Sequence, residues 1–170
     1  MVHGTRVAIA GGSLGGLTAG LLLRDLGLHV TIYERSPAEL QQRGAGIGFL
    51  PTSYRYLVER AGRSLDRISL VTSRIRYLAR TGAVTHDLQH AYRFSSWNTV
   101  YRELLACFGR VRYRLGQEVS SFGEDADHVS VTLATGQTDV VDLLVCADGV
   151  TSRSRRQLLP DAKRPATPGT

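Results

Sequence analysis

The residues with the clearest chemical potential form a glycine-rich turn near the start of the chain. Gly11, Gly12, Ser13, Leu14, Gly15 and Gly16 directly follow the apolar segment 6–10. In a dinucleotide-binding fingerprint, the first glycine permits a tight turn, the second lets backbone approach a pyrophosphate, and the third lets helix and strand pack closely. Gly11 and Gly16 fill the first and third places, and Ser13 replaces the second glycine. This segment, called the glycine turn below, predicts a phosphate site with the Ser13 hydroxyl as an added donor.

An acidic residue follows at the distance that such a fingerprint requires. Glu34 comes directly after the β-rich segment 28–33. A carboxylate at the end of the second strand of a dinucleotide-binding unit accepts hydrogen bonds from both ribose hydroxyls. The alternative interpretation is a purely structural glycine turn followed by a surface glutamate.

The same residues permit a different chemistry. Gly11 to Gly15 also match the G-x-S-x-G nucleophile elbow, in which Ser13 would be the nucleophile of a hydrolase. An elbow normally follows several strands, whereas only ten residues precede this turn. The histidines at 29, 86, 90 and 128 form no supporting pattern, so this alternative is the less favoured one.

The elements that would position these residues are readable from the hydrophobic pattern. Residues 6–10 predict a strand, a helix begins at Leu14 and stops at Gly27, and 28–33 predicts a second strand. This is a βαβ unit. Residues 36–39 read as a capping box that starts a helix, and a further helix is expected from Thr52 to Ala61.

The rest of the chain predicts a change from helix to strand. A β-hairpin is expected over 68–89 around Thr81 and Gly82, and a helix over 98–108. Residues 128–133 alternate strictly, 134–137 predict a turn, and 140–145 predict one buried strand. The segments from 128 to 145 predict a β-meander that leads to Ala147, Asp148 and Gly149.

Length and composition exclude several classes of protein. A chain of 170 residues with 42% hydrophobic residues fits one globular domain. Cys107 and Cys146 are too few for a disulfide framework and match no metal-binding spacing, so no metal is expected. The net charge of +6 is spread along the chain without a nucleic-acid motif. Glycines interrupt the uncharged segment 7–23, so no membrane span is expected and a cytoplasmic location is predicted.

Three motifs in order resemble a known family, the FAD-dependent aromatic hydroxylases of the para-hydroxybenzoate and salicylate hydroxylase type. They are the glycine turn with Glu34 and Arg35, the segment Arg43-Gly44-Ala45-Gly46-Ile47, and Ala147-Asp148-Gly149-Val150 with Ser152 behind it. The Gly-Gly-Ser start, with residues 16–19 and 92–97, is most similar to the 2,6-dihydroxypyridine hydroxylase branch. The resemblance covers residues 5–160.

The resemblance implies a fold and an activity. The fold is α/β: a Rossmann-like FAD-binding domain of the glutathione-reductase type with a β-meander insertion, over residues 1–160. The hairpin region 68–97 would contribute to the substrate side. The implied activity is oxidoreductase chemistry in which NADH or NADPH reduces FAD and a small aromatic or hydroxypyridine-like ring is hydroxylated. No catalytic base is assigned, and a non-catalytic nucleotide-binding module is the alternative.

The resemblance also implies roles for single residues. The glycine turn would hold the pyrophosphate and Glu34 the adenosine ribose, with Arg35 along the adenine and the Val119 backbone against it. The remaining implied FAD contacts are Arg43, Gly46, Ile47, Arg102 and Asp148. Alternatively, Arg43 and Arg102 are solvated surface arginines, and Asp148 only caps the turn at 152–153.

Family members are more than twice as long as this chain, and residues 161–170 lack periodicity. These ten residues predict a disordered or aberrant tail. Residues 166–170 can be back-translated so that a shifted frame encodes Tyr-Ala-Gly-Tyr, which matches the pattern that the family has there. A frameshift is therefore one hypothesis for this tail, and loss of later strands would then expose a sheet edge and favour self-association.

Overall fold

The computed structural model describes residues 4–41, 44 and 46–161 of the chain. Within these described residues, ten strands are assigned. They are β1 (Arg6–Ala10), β2 (His29–Glu34), β3 (Gly46–Gly48), β4 (Leu70–Leu78), β5 (Val84–Ser96), β6 (Tyr113–Leu115), β7 (Val119–Glu124), β8 (Val129–Leu133), β9 (Thr138–Val141) and β10 (Leu143–Cys146).

Helices are fewer and mostly short. They are α1 (Leu14–Asp25), α2 (Pro51–Arg55), α3 (Leu65–Ile68), α4 (Trp97–Phe108) and α5 (Arg153–Leu158), with a π-helical turn at Tyr56–Arg60 that continues α2. No helix in the described part of the chain has the length and apolar character needed to cross a membrane.

The chain divides into two compact units, and the first is made of two separate stretches of the sequence. It runs up to Leu40 and resumes at Leu104, whereas the second unit is Gln41–Glu103. The first unit has a parallel sheet of order β10-β1-β2-β6. Helix α1 buries Leu17 and Leu21, the apolar positions of its helical repeat. The βαβ unit expected from the sequence is confirmed.

A second sheet in the first unit is the expected meander, β7-β8-β9, which is antiparallel. A buried cluster joins side chains of the two sheets; its members are Ala8, Ala10, Tyr33, Val119, Val131, Leu133 and Val141. Within this cluster the Tyr33 hydroxyl donates a hydrogen bond to the Asp139 carboxylate on β9. The packing of β2 against the meander therefore includes one specific polar contact as well as apolar burial.

The second unit contains an antiparallel sheet of order β3-β5-β4. The predicted hairpin is confirmed, and Gly82 in its turn has a φ of +85°. Gly48 on β3 lies under the Tyr92 ring, since a Cβ there would be 2.9 Å from Tyr92 Cε1. The helix expected over 98–108 is α4, and it passes from the second unit into the first.

The capping box expected at residues 36–39 is wrong, because residues 35–41, all of which the structure describes, form bends and a turn rather than a helix. The Ser36 hydroxyl donates to the Ala38 carbonyl, and the Ser36 amide donates to the Glu34 carboxylate at 2.8 Å. Glu39 pairs instead with Arg110 at 2.6 Å. The Ser36 hydroxyl and the Glu39 carboxylate, the two polar groups of the expected box, therefore have other partners.

The single strand expected over 140–145 is also wrong, because the chain changes sheets at Asp142. Residues before it belong to β9 in the meander, and residues after it belong to β10 in the parallel sheet. The Asp142 carboxylate accepts hydrogen bonds from the Arg6 amide at 2.6 Å and from its guanidinium at 3.0 Å. Leu143 on the edge strand β10 is 42% exposed, so the segment is not uniformly buried.

The contact between Tyr33 and Asp139 predicts a pH-dependent stability. Burial, reinforced by the hydrogen bond to Asp139, raises the pKa of Tyr33 above its ordinary value. Tyr33→Phe should lower the free energy of unfolding at neutral pH by about 1–2 kcal/mol, because a partly buried hydrogen bond is lost.

The raised pKa of Tyr33 also sets the pH range over which this residue stabilises the fold. The contribution of Tyr33 is complete below about pH 10, the ordinary tyrosine pKa, and is lost as the pH rises above it. Urea unfolding should show that the difference in free energy of unfolding between wild type and variant is smaller just above pH 10 than near pH 7. A difference that stays constant or widens would contradict this role.

Candidate functional site

The glycine turn lies where β1 meets the end of β10. Gly11 has a φ of +100°, which side-chain-bearing residues rarely adopt. A Cβ at Gly11 would also collide with the Ala147 carbonyl, whose carbon would be 2.8 Å away. The Ala147 amide donates to the Ala10 carbonyl at 2.8 Å. The first glycine is therefore required by both conformation and space, and the turn contacts the Ala147-Asp148 motif.

Gly16 is required by a different contact. A Cβ there would collide with the Gly11 carbonyl, whose carbon would be 3.0 Å away. Only glycine lets the first turn of α1 lie this close to the preceding backbone. Gly15, by contrast, is exposed, and a Cβ there would meet no atom within 4 Å. The turn therefore has one closed side, toward the protein, and one open side.

Ser13 begins α1 but does not cap it. It is the N-cap residue with extended backbone, and its side chain makes no hydrogen bond to the helix. Its carbonyl accepts a hydrogen bond from the Leu17 amide at 2.9 Å. Within the described residues, neither the Ser13 hydroxyl nor its amide has a hydrogen-bond partner. Unsatisfied donors at a helix N-terminus, together with the helix dipole, favour an anion.

Glu34 is a buried carboxylate rather than a surface one, with 6% of its area exposed. One oxygen accepts a hydrogen bond from the Gly12 amide at 2.8 Å, and the other accepts one from the Ser36 amide at 2.8 Å. A carboxylate can accept about four hydrogen bonds, so capacity remains for a ligand. The end of β2 and the glycine turn are thereby joined directly.

Tyr113 on β6 contacts the same turn and is the main residue that the sequence analysis missed. Its buried hydroxyl donates to the Gly12 carbonyl at 2.8 Å. Its ring covers Gly12, where a Cβ would be 2.7 Å from two ring carbons. The alternation of residues around Tyr113 indicates a strand, but nothing in that pattern identifies the partner of its hydroxyl.

Asp148 adopts the role of a helix cap. Its carboxylate accepts hydrogen bonds from the Ser152 hydroxyl at 2.6 Å, the Arg153 amide at 2.8 Å and the Ser154 amide at 3.1 Å. Burial acts to raise the pKa of Asp148, but the hydrogen bonds from Ser152 and the two amides outweigh it and hold this pKa below its ordinary value. The carboxylate therefore stabilises the start of α5.

The adenine-side candidates lie near Glu34 in the first unit. The Gln117 amide donates to the Glu34 carbonyl at 2.9 Å, and the Gly116 amide donates to the Ser36 carbonyl at 2.8 Å. The chain then enters β7 at Val119, which is buried. Arg35 is exposed beside this segment. The structure thus brings Arg35 and the start of β7 to the same end of β2.

Other candidates belong to the second unit. Gly46 and Ile47 lie on β3, opposite Ser96 and Ser95 of β5. Arg102 is exposed on α4. Arg43 lies outside the described residues.

Gly44 anchors the segment before β3. Its φ is +86°, and a Cβ there would be 2.8 Å from Trp97 Cγ. The Trp97 ring in turn stacks on Tyr101 with centroids 5.0 Å apart. A glycine is therefore required at this position for backbone conformation and for space.

The hydrolase alternative finds no support in the geometry. A serine nucleophile needs a general base within hydrogen-bond reach. Among the described residues, no histidine makes a hydrogen bond to the Ser13 hydroxyl. The turn has the steric features of a fingerprint and lacks the pairing of an elbow.

Comparisons with known proteins agree on one family. A family profile described as FAD binding domain matches residues 4–167. The 2,6-dihydroxypyridine 3-monooxygenase of Paenarthrobacter nicotinovorans is 37% identical over 155 residues, covering 91% of this chain and 39% of the relative. The aurachin C monooxygenase/isomerase of Stigmatella aurantiaca is 31% identical, covering 95% of this chain and 44% of the relative. The chain spans less than half the length of these relatives.

Solved structures give the same result. The 2,6-dihydroxypyridine-3-hydroxylase from Arthrobacter nicotinovorans superposes with a TM-score of 0.86 at 36% identity, covering 92% of this chain and 40% of that one. Klebsiella pneumoniae HpxO, solved with FAD and uric acid, has a TM-score of 0.74 at 23% identity, covering 90% of this chain and 41% of that one. At that identity the second likeness concerns the fold alone.

The contrast between Gly15 and Gly16 yields a matched pair of variants. Gly16→Ala should destabilise the fold by about 1–3 kcal/mol, because its Cβ collides with the Gly11 carbonyl. Gly15→Ala should leave stability unchanged or raise it by up to about 1 kcal/mol, because alanine favours helix and the space is open. Thermal or urea unfolding of both variants measures the difference. Equal stabilities would contradict the close approach at Gly16.

Proposed function

The chain belongs to the family of FAD-binding domains found in flavin monooxygenases, and from that premise we propose that its glycine turn and Glu34 hold the ADP half of FAD. The proposal treats residues 1–160 as one FAD-binding domain. It also assigns the first unit to the glutathione-reductase type. The β1-α1-β2 arrangement inside a four-stranded parallel sheet supports that assignment.

The described residues fit the chemistry of an ADP group. A pyrophosphate is an anion that needs several donors, and the start of α1 offers the unpartnered Ser13 amide and hydroxyl beside the open side at Gly15. A ribose offers two hydroxyl donors, and Glu34 is an ionisable acceptor with unused capacity. This pairing of donors with phosphate, and of an acceptor with ribose, is the observation that carries the proposal.

The other proposed contacts concern further parts of FAD. Arg35 would stack its planar guanidinium along the adenine, and the Val119 backbone would meet the adenine edge. Arg43 and Arg102 would supply positive charge, and Gly46 and Ile47 would lie near the ring system. Asp148 would act indirectly, since its carboxylate is engaged by α5 and the backbone before it touches Gly11.

We further propose that this domain serves a monooxygenase that hydroxylates a small aromatic or hydroxypyridine-like ring with NADH or NADPH as reductant. When bound, FAD supplies the redox chemistry that couples the nicotinamide to molecular oxygen. The residues of this chain bind and orient that cofactor. The relative from Paenarthrobacter nicotinovorans, whose name gives a dihydroxypyridine as its substrate, supports this choice of substrate class.

A carboxylate variant tests the ribose contact. Glu34→Gln should weaken FAD binding by about 10–100-fold, the equivalent of one or two hydrogen bonds to a charged acceptor. The amide also presents an NH₂ group to one of the two backbone donors that Glu34 now satisfies. Quenching of flavin fluorescence on titration with the chain gives the dissociation constant.

The matched control is Glu124→Gln, which neutralises an exposed carboxylate at the end of β7. Its FAD affinity should stay within twofold of wild type. ADP should compete with FAD for the wild-type chain, whereas riboflavin, which lacks the pyrophosphate and adenosine, should compete poorly. Unchanged FAD affinity in folded Glu34→Gln would reject the assignment of Glu34 to the ribose.

A further inference from the structure

Tyr113 has no role in the fingerprint from which the proposed function starts, yet it makes a direct polar contact with the glycine turn. It lies on β6, on the far side of β2 from β1 in the parallel sheet. Its hydroxyl donates to the Gly12 carbonyl at 2.8 Å, and its side chain is buried, with 5% of its area exposed. A buried tyrosine hydroxyl that bonds to main chain holds that main chain in one orientation.

The two peptide groups at Gly12 are held by different side chains. The amide of the peptide that joins Gly11 to Gly12 donates to Glu34 at 2.8 Å. The carbonyl of the peptide that joins Gly12 to Ser13 accepts from Tyr113. Gly12 is thus fixed from both sides, although the glycine itself has no side chain to restrict it.

Peptide geometry converts the contact with Tyr113 into an orientation of the next amide. In a planar trans peptide the C=O and N–H bonds point in opposite directions. None of the described peptide bonds is cis. Because the Gly12 carbonyl points to Tyr113, the Ser13 N–H points away from Tyr113. A carbonyl that accepts a hydrogen bond also polarises its own peptide, which makes the N–H a better donor.

We propose that Tyr113 is a positioning residue for the pyrophosphate, because its hydroxyl fixes the peptide whose Ser13 N–H donates to a phosphate oxygen. The inference rests on the proposed function and adds a residue from β6 to it. The contact with Tyr113 orients the peptide before Ser13, the residue that stands in place of the second glycine.

Tyr113→Phe removes only the hydroxyl and keeps the ring that covers Gly12. Binding of FAD, ADP and adenosine should be measured for the 170-residue chain by ligand titration. FAD and ADP affinity should fall about tenfold, which corresponds to the loss of one oriented hydrogen bond. Adenosine lacks phosphate, so its affinity should stay within twofold. Equal losses for ADP and adenosine would indicate a merely structural role and overturn the inference.

Tyr33→Phe is the matched control, because it removes the hydroxyl of a second buried tyrosine, and the partner of that hydroxyl, Asp139, lies on the meander. It should lower stability while leaving ADP affinity within twofold. A comparable loss of ADP affinity in this control would mean that general destabilisation weakens binding, which overturns the inference. Unchanged ADP affinity in Tyr113→Phe would overturn it as well.

A measurement on the wild-type chain tests the inference without any substitution. In amide-resolved NMR spectra, ADP should shift the Ser13 resonance strongly and adenosine should not. If ADP binds and shifts Glu34 and Arg35 but leaves Ser13 in place, the positioning role is wrong and the proposed function stands. If ADP and FAD do not bind the wild-type chain, the proposed function fails and the inference fails with it.

Discussion

The hydrogen bond from the Gly12 amide to the buried Glu34 carboxylate is the contact on which the proposed nucleotide site depends. A carboxylate that is 6% exposed is costly to bury unless donors satisfy it. Here the donors are the amides of Gly12 and Ser36, each bound to a different oxygen of the carboxylate. The same contact therefore stabilises the buried carboxylate and ties the glycine turn to the end of β2, while unused acceptor capacity remains for the proposed ribose hydroxyls. Each of these consequences follows from placing one acid at the last position of one strand.

Steric constraints complete this arrangement. The glycine turn contacts the Ala147-Asp148 backbone, which is distant in sequence, and no side chain fits between them at Gly11. Asp148 holds α5 through its carboxylate while its backbone supports the turn, so the motif near residue 148 and the fingerprint near residue 11 form one structural unit. This contact explains why two motifs so far apart in sequence lie together in the fold.

Local patterns made much of the fold predictable. The βαβ unit, the hairpin around Gly82 and helix α4 follow from hydrophobic periodicity and from glycines at their ends. The failures involve long-range contacts. Ser36 was expected to start a helix, but its amide serves Glu34, and Asp142 ends a predicted strand because it binds Arg6. Tyr113 was missed for the same reason: its partner is a main-chain carbonyl on another element, which no local pattern reveals.

The most direct test of the proposed nucleotide site is a crystal structure of this chain grown with FAD or ADP. We expect a pyrophosphate oxygen within about 2.7–3.2 Å of the Ser13 amide nitrogen, the usual range for such hydrogen bonds. We also expect both ribose hydroxyls against the Glu34 carboxylate, with the Gly12 carbonyl still bound by Tyr113. A nucleotide bound elsewhere on the chain, with the open side of the glycine turn empty, would contradict the proposed site.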